Sequence, residues 1–264
     1  MTIKLASPNG YASHEAMCEA AAARIIDLVL RKPNAVIGLA TGGTMEPLYA
    51  AVVRKYQESQ NSNEPVSFKH VKFFTLDEYV GLPRAHPQSY HSYLHRHLLS
   101  HIDAKLENID IPNGNAPDTT AECKRYEAAI AKAGGADVWL AGIGPNGHVA
   151  FNEPGSKFTG ETRKVKLTQA TREANSRFFE GDVKKVPTHA ISVGLGTLKK
   201  HAREVLLLAN GETKSQPLSV LLEGRVRQTT PATMLTTMPN VTVFADARAL
   251  SIHHANQAGR GAGR

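Results

Sequence analysis

An apolar run passes directly into a glycine-rich turn at residues 138–154, where the sequence reads VWLAGIGPNGHVAFNEP. The first four residues are typical of a buried strand, and the glycines that follow let the backbone turn sharply and approach a ligand. His148 and Glu153 supply groups that transfer protons near neutral pH. The stretch therefore predicts a catalytic loop after a strand. A tight turn with His148 hydrogen-bonded locally explains it equally well in isolation.

Similar strand-like runs recur along the chain and alternate with helical patterns. The runs lie at 35–39, 71–75, 138–141, 190–193, 205–209 and 241–245, and the helical patterns lie at 13–31, 45–57, 119–133 and 214–222. This alternation predicts an α/β fold with a largely parallel, Rossmann-like and doubly wound sheet flanked by helices. We expect residues 1–250 to form a single domain and residues 251–264 to form a flexible C-terminal tail.

Composition and charge narrow the classes of partner. The chain has 264 residues, of which 41% are hydrophobic, and a formal net charge of +7. Its Lys and Arg residues are scattered and lack interleaved aromatic residues, so we expect an anionic small molecule and no specific nucleic acid. The two cysteines, Cys18 and Cys123, are far apart, which argues against a disulfide framework and indicates the cytoplasm. No apolar run approaches membrane-spanning length, so no membrane partner is expected.

A second glycine turn follows the run at 35–39. Thr41-Gly42-Gly43-Thr44 offers backbone N–H groups at a helix N-terminus together with two hydroxyls, which suits a phosphate. The turn lacks the Gly-Lys-Ser/Thr ending of a Walker A motif and the Gly-x-Gly-x-x-Gly dinucleotide fingerprint. We therefore expect a sugar phosphate here.

Two adjacent acids follow the run at 71–75. In Leu76–Pro83, Asp77 is the candidate base because it comes just after a strand, at the edge where ligands bind in parallel sheets. Capping of the following turn by Asp77 or Glu78 is the alternative.

Four histidines cluster after Pro87, at His91, His95, His97 and His101. The spacing of the first two could hold a metal on one helical face. A third ligand and a His-Glu-x-x-His motif are absent from the sequence, which favours an exposed or capping role. We expect no metal site.

Four motifs follow one another over residues 35–245, namely Thr41–Thr44, Leu76–Pro83, Gly147–Pro154 and Thr171–Phe178. Together they resemble the glucosamine-6-phosphate deaminases, a family of glucosamine and galactosamine phosphate isomerases related to the 6-phosphogluconolactonases. The resemblance implies an aldose–ketose isomerisation coupled to hydrolytic deamination of an amino-sugar phosphate. Fructose 6-phosphate and ammonia would be released without a metal or an organic cofactor.

The resemblance also implies roles for single residues. By similarity, His148 with Glu153 assists opening of the pyranose ring, and Asp77 moves a proton from C2 to C1 through an enolamine. Asn146 orients His148. The phosphate would be held by Thr41, Gly42, Gly43, Thr44, Arg177 and Lys214. For Lys214, plain surface solvation is the alternative.

Two departures from the family pattern affect these expectations. Asn146 stands where the best-known form of the motif has an aspartate, so it can hydrogen-bond to His148 but offers an imidazolium no negative charge. Ser156 and Arg163 resemble part of an allosteric site of some relatives, but Val165 stands where a lysine is expected. We therefore predict non-allosteric behaviour.

Other functions remain open on the sequence. A 6-phosphogluconolactonase, a galactosamine-6-phosphate deaminase and a sugar-phosphate sensor without catalysis are the alternatives. A homo-oligomer is compatible with the sequence, which does not decide the oligomeric state. The polar stretch with Gly155 and Gly160 is a hypothetical mobile loop beside the site.

Overall fold

The computed structural model describes residues 3–261 and is built around a twisted parallel sheet. Seven strands lie in the order β1-β10-β9-β6-β2-β3-β5, and each neighbouring pair is parallel. Their bounds are β1 Ile3–Leu5, β2 Val36–Leu39, β3 Lys72–Thr75, β5 Ile109–Asp110, β6 Val138–Gly142, β9 Val205–Ala209 and β10 Val241–Ala245. The predicted α/β fold with a largely parallel sheet is confirmed.

Helices connect the strands and cover the sheet. They are α1 His14–Arg31, α2 Glu46–Ser59, α3 Tyr90–His97, α4 Thr119–Lys132, α5 Gln169–Ser176, α6 Leu195–His201, α7 Ser215–Leu222 and α8 Ser251–Gly261. Short 3-10 helices lie at Leu99–His101, Leu106–Asn108, Glu212–Lys214 and Pro231–Thr237. None of the helices in residues 3–261 is long and apolar enough to cross a membrane.

Helix α1 illustrates how local sequence produces these elements. The Ser13 hydroxyl accepts a hydrogen bond from the backbone N–H of Ala16 at 3.1 Å, which satisfies one of the free donors of the first turn. Met17, Ala21 and Ile25, spaced four residues apart, are buried on one face. The predicted helix and its apolar face are confirmed.

A second, smaller sheet lies beside the first. Strands β4 Asp77–Tyr79, β8 His189–Ser192 and β7 Arg163–Lys166 pair antiparallel in the order β4-β8-β7. The apolar run at 190–193 thus begins within a strand, but that strand lies outside the parallel sheet. The small sheet has its own apolar cluster, made by Tyr79, Phe151, Leu167, Phe179, Val186 and Ala190.

The C-terminal segment differs from the expected flexible tail. Residues Ser251–Gly261 form α8, which packs on α7. The side chain of Asn256 donates a hydrogen bond to the Ser219 hydroxyl at 3.2 Å, and His254 Nε2 lies 3.1 Å from the carbonyl oxygen of Pro8. These contacts with α7 and with the segment after β1 favour the helical conformation. Residues 262–264 of the predicted tail lie outside the described residues.

Candidate active site

The carboxyl ends of four neighbouring strands meet at one edge of the parallel sheet. Thr41 follows β2, Asp77 follows β3, His148 follows β6 and Lys214 follows β9. Together with Arg177 at the end of α5, they line a cavity of about 550 Å³. Ligands of open parallel sheets bind beyond the carboxyl ends of the strands, so the topology alone places a site here.

The turn after β2 forms one wall of the cavity. Gly42 has a φ of +98°, a conformation that side chains with a Cβ rarely adopt, and a Cβ built on Gly42 or Gly43 would meet no atom within 4 Å. The Thr44 hydroxyl donates a hydrogen bond to Asn210 Oδ1 at 2.7 Å. Helix α2 begins directly afterwards at Glu46. An open backbone at a helix N-terminus suits a phosphate group.

Two cations, Arg177 and Lys214, line the same cavity. Burial lowers the pKa of the Lys214 amine, and the positive charge of Arg177 lowers it further. The Arg177 guanidinium lies 4.7 Å from the ring centroid of Phe178. Within residues 3–261, neither cation pairs with a carboxylate. Lys214 is half-buried and not a solvated surface residue, so its charge is available to an anion in the cavity.

Asp77 lies on the floor of the cavity. It is only 6% exposed, and burial together with the charge of Glu78 raises its pKa to about 8. A carboxyl group with a pKa in this range can give up and take back a proton near neutral pH. Of the two adjacent acids, Asp77 is therefore the one placed for proton transfer.

The neighbouring Glu78 has a structural role. Its carboxylate accepts backbone hydrogen bonds from Tyr79 at 2.8 Å, Tyr90 at 3.0 Å and His91 at 2.9 Å. The last two donors belong to the first turn of α3, so Glu78 caps this helix. The alternative role weighed for these two acids thus applies to Glu78 alone.

His148 is oriented through Asn146. The Asn146 side-chain amide donates to Glu153 Oε2 at 2.7 Å, and its Oδ1 accepts from His148 Nδ1 at 2.7 Å. Glu153 Oε2 itself is 3.8 Å from His148 Nδ1, too far for a direct hydrogen bond. Because Nδ1 carries the proton in this arrangement, Nε2 is left with a lone pair.

Electrostatics keep His148 neutral. Burial lowers the pKa of its imidazole, the positive charge of Lys214 acts in the same direction, and the charge of Glu153 opposes both. At neutral pH, Nε2 can therefore accept a proton from a bound molecule. Asn146 and Glu153 lie beside His148 and do not themselves line the cavity.

Glycines give the imidazole its space. A Cβ on Gly144 would lie 2.2 Å from Cε1 of His148, well inside van der Waals contact. Gly147 has a φ of +81°, and a Cβ there would lie 2.5 Å from Cγ2 of Thr230. The position of the His148 ring therefore requires Gly144, whereas Gly147 is required by its positive φ and by Thr230. His148 lines the cavity.

The sequence did not reveal several polar partners of the site. The Asn210 side-chain oxygen accepts a hydrogen bond from the Thr44 hydroxyl, and the Thr171 hydroxyl donates one to Glu153 Oε1. The Asn175 side chain donates a hydrogen bond to the Tyr79 hydroxyl at 2.9 Å. Thr171 and Asn175 lie within a recognised motif, which was the available signal. Asn210 follows β9 directly, where only its position at the sheet edge could have indicated a role.

Other candidates lie away from the cavity. The rings of His91 and His95 stack with centroids 6.4 Å apart, and in residues 3–261 no three His, Cys, Asp or Glu side chains are placed to share a metal ion. Arg163 donates to Asn152 Oδ1 at 2.9 Å, and burial lowers the pKa of its guanidinium. Arg163, which resembles a residue of the allosteric site of some relatives, is thus hydrogen-bonded to Asn152, and Asn152 is 0% exposed.

Residues 9–244 match the family described as glucosamine-6-phosphate isomerases/6-phosphogluconolactonase. The chain belongs to this family. Among curated members, glucosamine-6-phosphate deaminase 2 of Bacillus subtilis (strain 168) is 44% identical over 236 residues, which are 89% of this chain and 93% of the relative. Glucosamine-6-phosphate deaminase of Porphyromonas gingivalis (strain ATCC 33277) is 52% identical over 193 residues, 73% of this chain and 71% of the relative.

Solved structures of the isomerase/lactonase family share the fold. A monomeric glucosamine-6-phosphate deaminase superimposes with a TM-score of 0.89 at 39% identity, covering 95% of this chain and 100% of that chain. The 6-phosphogluconolactonase of Thermotoga maritima superimposes with a TM-score of 0.69 at 20% identity, covering 93% of this chain and 99% of that one. The second likeness is one of fold alone.

Proposed function

We propose that this chain is a glucosamine-6-phosphate deaminase, which converts glucosamine 6-phosphate and water to fructose 6-phosphate and ammonia. The observation that carries the proposal is that Asp77, a neutral His148 and two cations, which pair with no carboxylate within residues 3–261, line one cavity. Relatives that bear the name of this enzyme, at 44% and 52% identity, support it.

Binding begins with the phosphate. Arg177 offers a planar fork of N–H donors and Lys214 a point charge, and both line the same cavity as the turn at Thr41–Thr44. Because the cations have no carboxylate partner among residues 3–261, a phosphate gains their charge without breaking an ion pair of the described chain. The sugar then extends from this end of the cavity towards Asp77 and His148.

Ring opening is the task of His148. Its Nε2 accepts the proton of the anomeric hydroxyl, and the imidazolium so formed gives this proton to the sugar-ring oxygen as the bond between C1 and that oxygen breaks. Nδ1 stays hydrogen-bonded to Asn146, which holds the imidazole in place. The positive charge that develops on the imidazole ring of His148 is stabilised by the Glu153 carboxylate, whose Oε2 lies 3.8 Å from Nδ1.

Isomerisation is the task of Asp77. The ionised carboxylate removes the C2 proton of the open-chain aldehyde, which gives an enolamine, and returns the proton to C1. Water adds to the resulting C2 imine, and ammonia leaves. The ammonium group of the substrate favours ionisation of Asp77, because an adjacent positive charge lowers the pKa of a carboxyl group.

The decisive experiment measures ammonia and fructose 6-phosphate release from glucosamine 6-phosphate. We expect equimolar products from the parent and a kcat lowered about 10³-fold by Asp77→Asn, within the usual contribution of a general base. Glu107→Gln removes an exposed carboxylate and serves as the matched control. Galactosamine 6-phosphate and 6-phosphogluconolactone are assayed in parallel. Turnover of either without ammonia release from the gluco substrate would contradict the proposal, as would binding without turnover of any substrate.

A further inference from the structure

Both carboxylate oxygens of Glu153 are held by neighbouring side chains. Asn146 donates to Oε2 at 2.7 Å, and the Thr171 hydroxyl donates to Oε1. Thr171 lies in the first turn of α5 and is 8% exposed. A carboxylate gripped at both oxygens has one rotational position, whereas one held only at Oε2 can swing about its χ angles.

A second threonine sets the direction of this hydrogen bond. Thr168 caps α5, since its hydroxyl oxygen accepts the backbone N–H of Thr171 at 3.2 Å. The Thr168 hydroxyl lies 2.9 Å from that of Thr171 and donates to it. With its oxygen accepting from Thr168, the Thr171 hydroxyl turns its own proton to Glu153. Direct donation from Thr168 to Glu153 is longer, at 3.4 Å.

The orientation of Glu153 helps to set the tautomer of His148. An Asn side chain can present either its oxygen or its NH₂ to a neighbour, and two contacts fix the choice here: the NH₂ donates to Glu153 Oε2 at 2.7 Å, and the oxygen accepts the backbone N–H of His148 at the longer distance of 3.2 Å. With the NH₂ turned to Glu153, the amide oxygen faces His148 and requires a proton on Nδ1. If Glu153 moves, the reversed amide would instead donate to Nδ1 and place the proton on Nε2.

We propose that Thr171 is a positioning residue, whose hydroxyl holds Glu153 so that Asn146 keeps His148 in the Nδ1–H tautomer. The inference rests on the proposed function, because only in ring opening does His148 require a free Nε2. Arg177, the residue that follows α5, also lines the cavity. The hydroxyl that holds Glu153 and a proposed phosphate ligand thus lie in and directly after the same short helix.

The kinetic test compares Thr171→Val with Thr171→Ser. Valine keeps the branched shape without the hydroxyl, so we expect kcat to fall about tenfold, the effect of one hydrogen bond to a charged group, while KM changes less than about twofold. Serine restores the donor and should restore kcat. Gln169→Ala, an exposed change on α5, controls for perturbation of the helix and should leave both constants unchanged.

The direct test reads the tautomer of His148 by ¹H–¹⁵N correlation of the imidazole nitrogens at about pH 8, above the usual histidine pKa. The signals are assigned among 12 histidines by their loss in His148→Gln. We expect Nδ1–H alone in the parent and in Thr171→Ser, and both tautomers in Thr171→Val. Thr171→Ala replaces the valine variant if that variant does not fold.

A Thr171→Val protein with only the Nδ1–H tautomer would overturn the proposal, whatever its kcat. A serine variant as altered as the valine variant would overturn it too. If the parent releases no ammonia yet the tautomer changes in Thr171→Val, the proposed function is contradicted while the placement of Glu153 by Thr171 is supported.

Discussion

At the scale of single residues, Asp77 and Glu78 show how surroundings separate two adjacent carboxyl groups. The Glu78 carboxylate accepts hydrogen bonds from three backbone N–H groups, which hold it in a structural role. Asp77 faces the cavity, and burial beside the charge of Glu78 raises its pKa to about 8. The folded protein therefore retains the proton of Asp77 through neutral pH, whereas the unfolded chain releases it near pH 4, at the usual pKa of about 3.9.

Asp77→Asn should consequently change how stability depends on pH. Between about pH 4 and pH 8 the folded parent binds one proton more than its unfolded chain, so its free energy of unfolding falls as pH rises. The Asp77→Asn protein lacks this pH-dependent loss of stability. We expect its free energy of unfolding, relative to that of the parent, to grow by a few kcal/mol as pH rises, at about 1.4 kcal/mol per pKa unit, and the difference to level off above pH 8.

Denaturant unfolding at several pH values between 4 and 9 measures this difference, at roughly the window of the two pKa values. Glu107→Gln, which changes an exposed carboxyl group, should keep a constant difference from the parent. A stability difference between Asp77→Asn and the parent that does not vary with pH would show that Asp77 ionises normally in the folded protein.

The sequence predicted the position of Asp77 and His148 because each lies in the segment that follows an apolar strand. The two hydrogen bonds by which Asn146 links Glu153 to His148 were predicted only in part, since an asparagine indicates a hydrogen bond but not its direction. Thr171 could not be assigned from local pattern. Its hydroxyl contacts Glu153, which lies 18 positions earlier in the chain. The local pattern of a short polar helix does not indicate such a contact, and only the motif at Thr171–Phe178 marked this residue.

At the scale of elements, the turn after β6 depends on the absence of one side chain. A Cβ on Gly144 would lie 2.2 Å from the His148 ring, which would have to move. Gly144 itself does not have a positive φ, so an alanine there imposes no backbone strain. The substitution is therefore expected to displace the imidazole ring of His148 and to leave the backbone of the turn unstrained.

We expect Gly144→Ala to fold and to lose about 10²-fold in kcat, because displacing a catalytic group by about 1 Å has that order of effect. Circular dichroism, thermal unfolding and the ammonia assay measure the three quantities. Gly259→Ala, where an added Cβ meets no atom within 4 Å, is the matched control. A fully active Gly144→Ala protein would argue that His148 takes no part in the rate-limiting step.

Prediction of the elements succeeded where the signal was local. Helix α1 has its cap and its buried face within one segment, and β9 is five buried residues in a row. In the small sheet, only β8 carried such a signal, in the apolar run at 190–193. Strand β4 has three residues and β7 reads Arg-Lys-Val-Lys, and both become strands only by pairing with β8, far along the chain.

At the scale of the whole molecule, the excess of positive charge favours the approach of an anionic molecule. The chain carries a net charge of +7, and the cavity is lined by Arg177 and Lys214, which have no carboxylate partner within residues 3–261. We expect kcat/KM to fall about three- to tenfold between low and high ionic strength, because the field that attracts a charged ligand is screened. The value of kcat at saturating substrate should stay constant.

Initial rates in about 0.01 M to 1 M sodium chloride, where the Debye length shortens from about 30 Å to about 3 Å, measure this effect. Lys214→Met should flatten the dependence by removing one of the two cations nearest the phosphate. A kcat/KM that is independent of salt would mean that the net charge contributes nothing to the encounter.

The order of strands also bears on how the chain folds as it is synthesised. Strand β1, at residues 3–5, pairs in the described sheet with β10, at residues 241–245. At about 5–20 residues per second, β1 waits on the order of tens of seconds for its partner to be made. Strand β1 can therefore join the sheet only with β10, and until β10 is made β9 presents an open edge to any chaperone or neighbouring nascent chain.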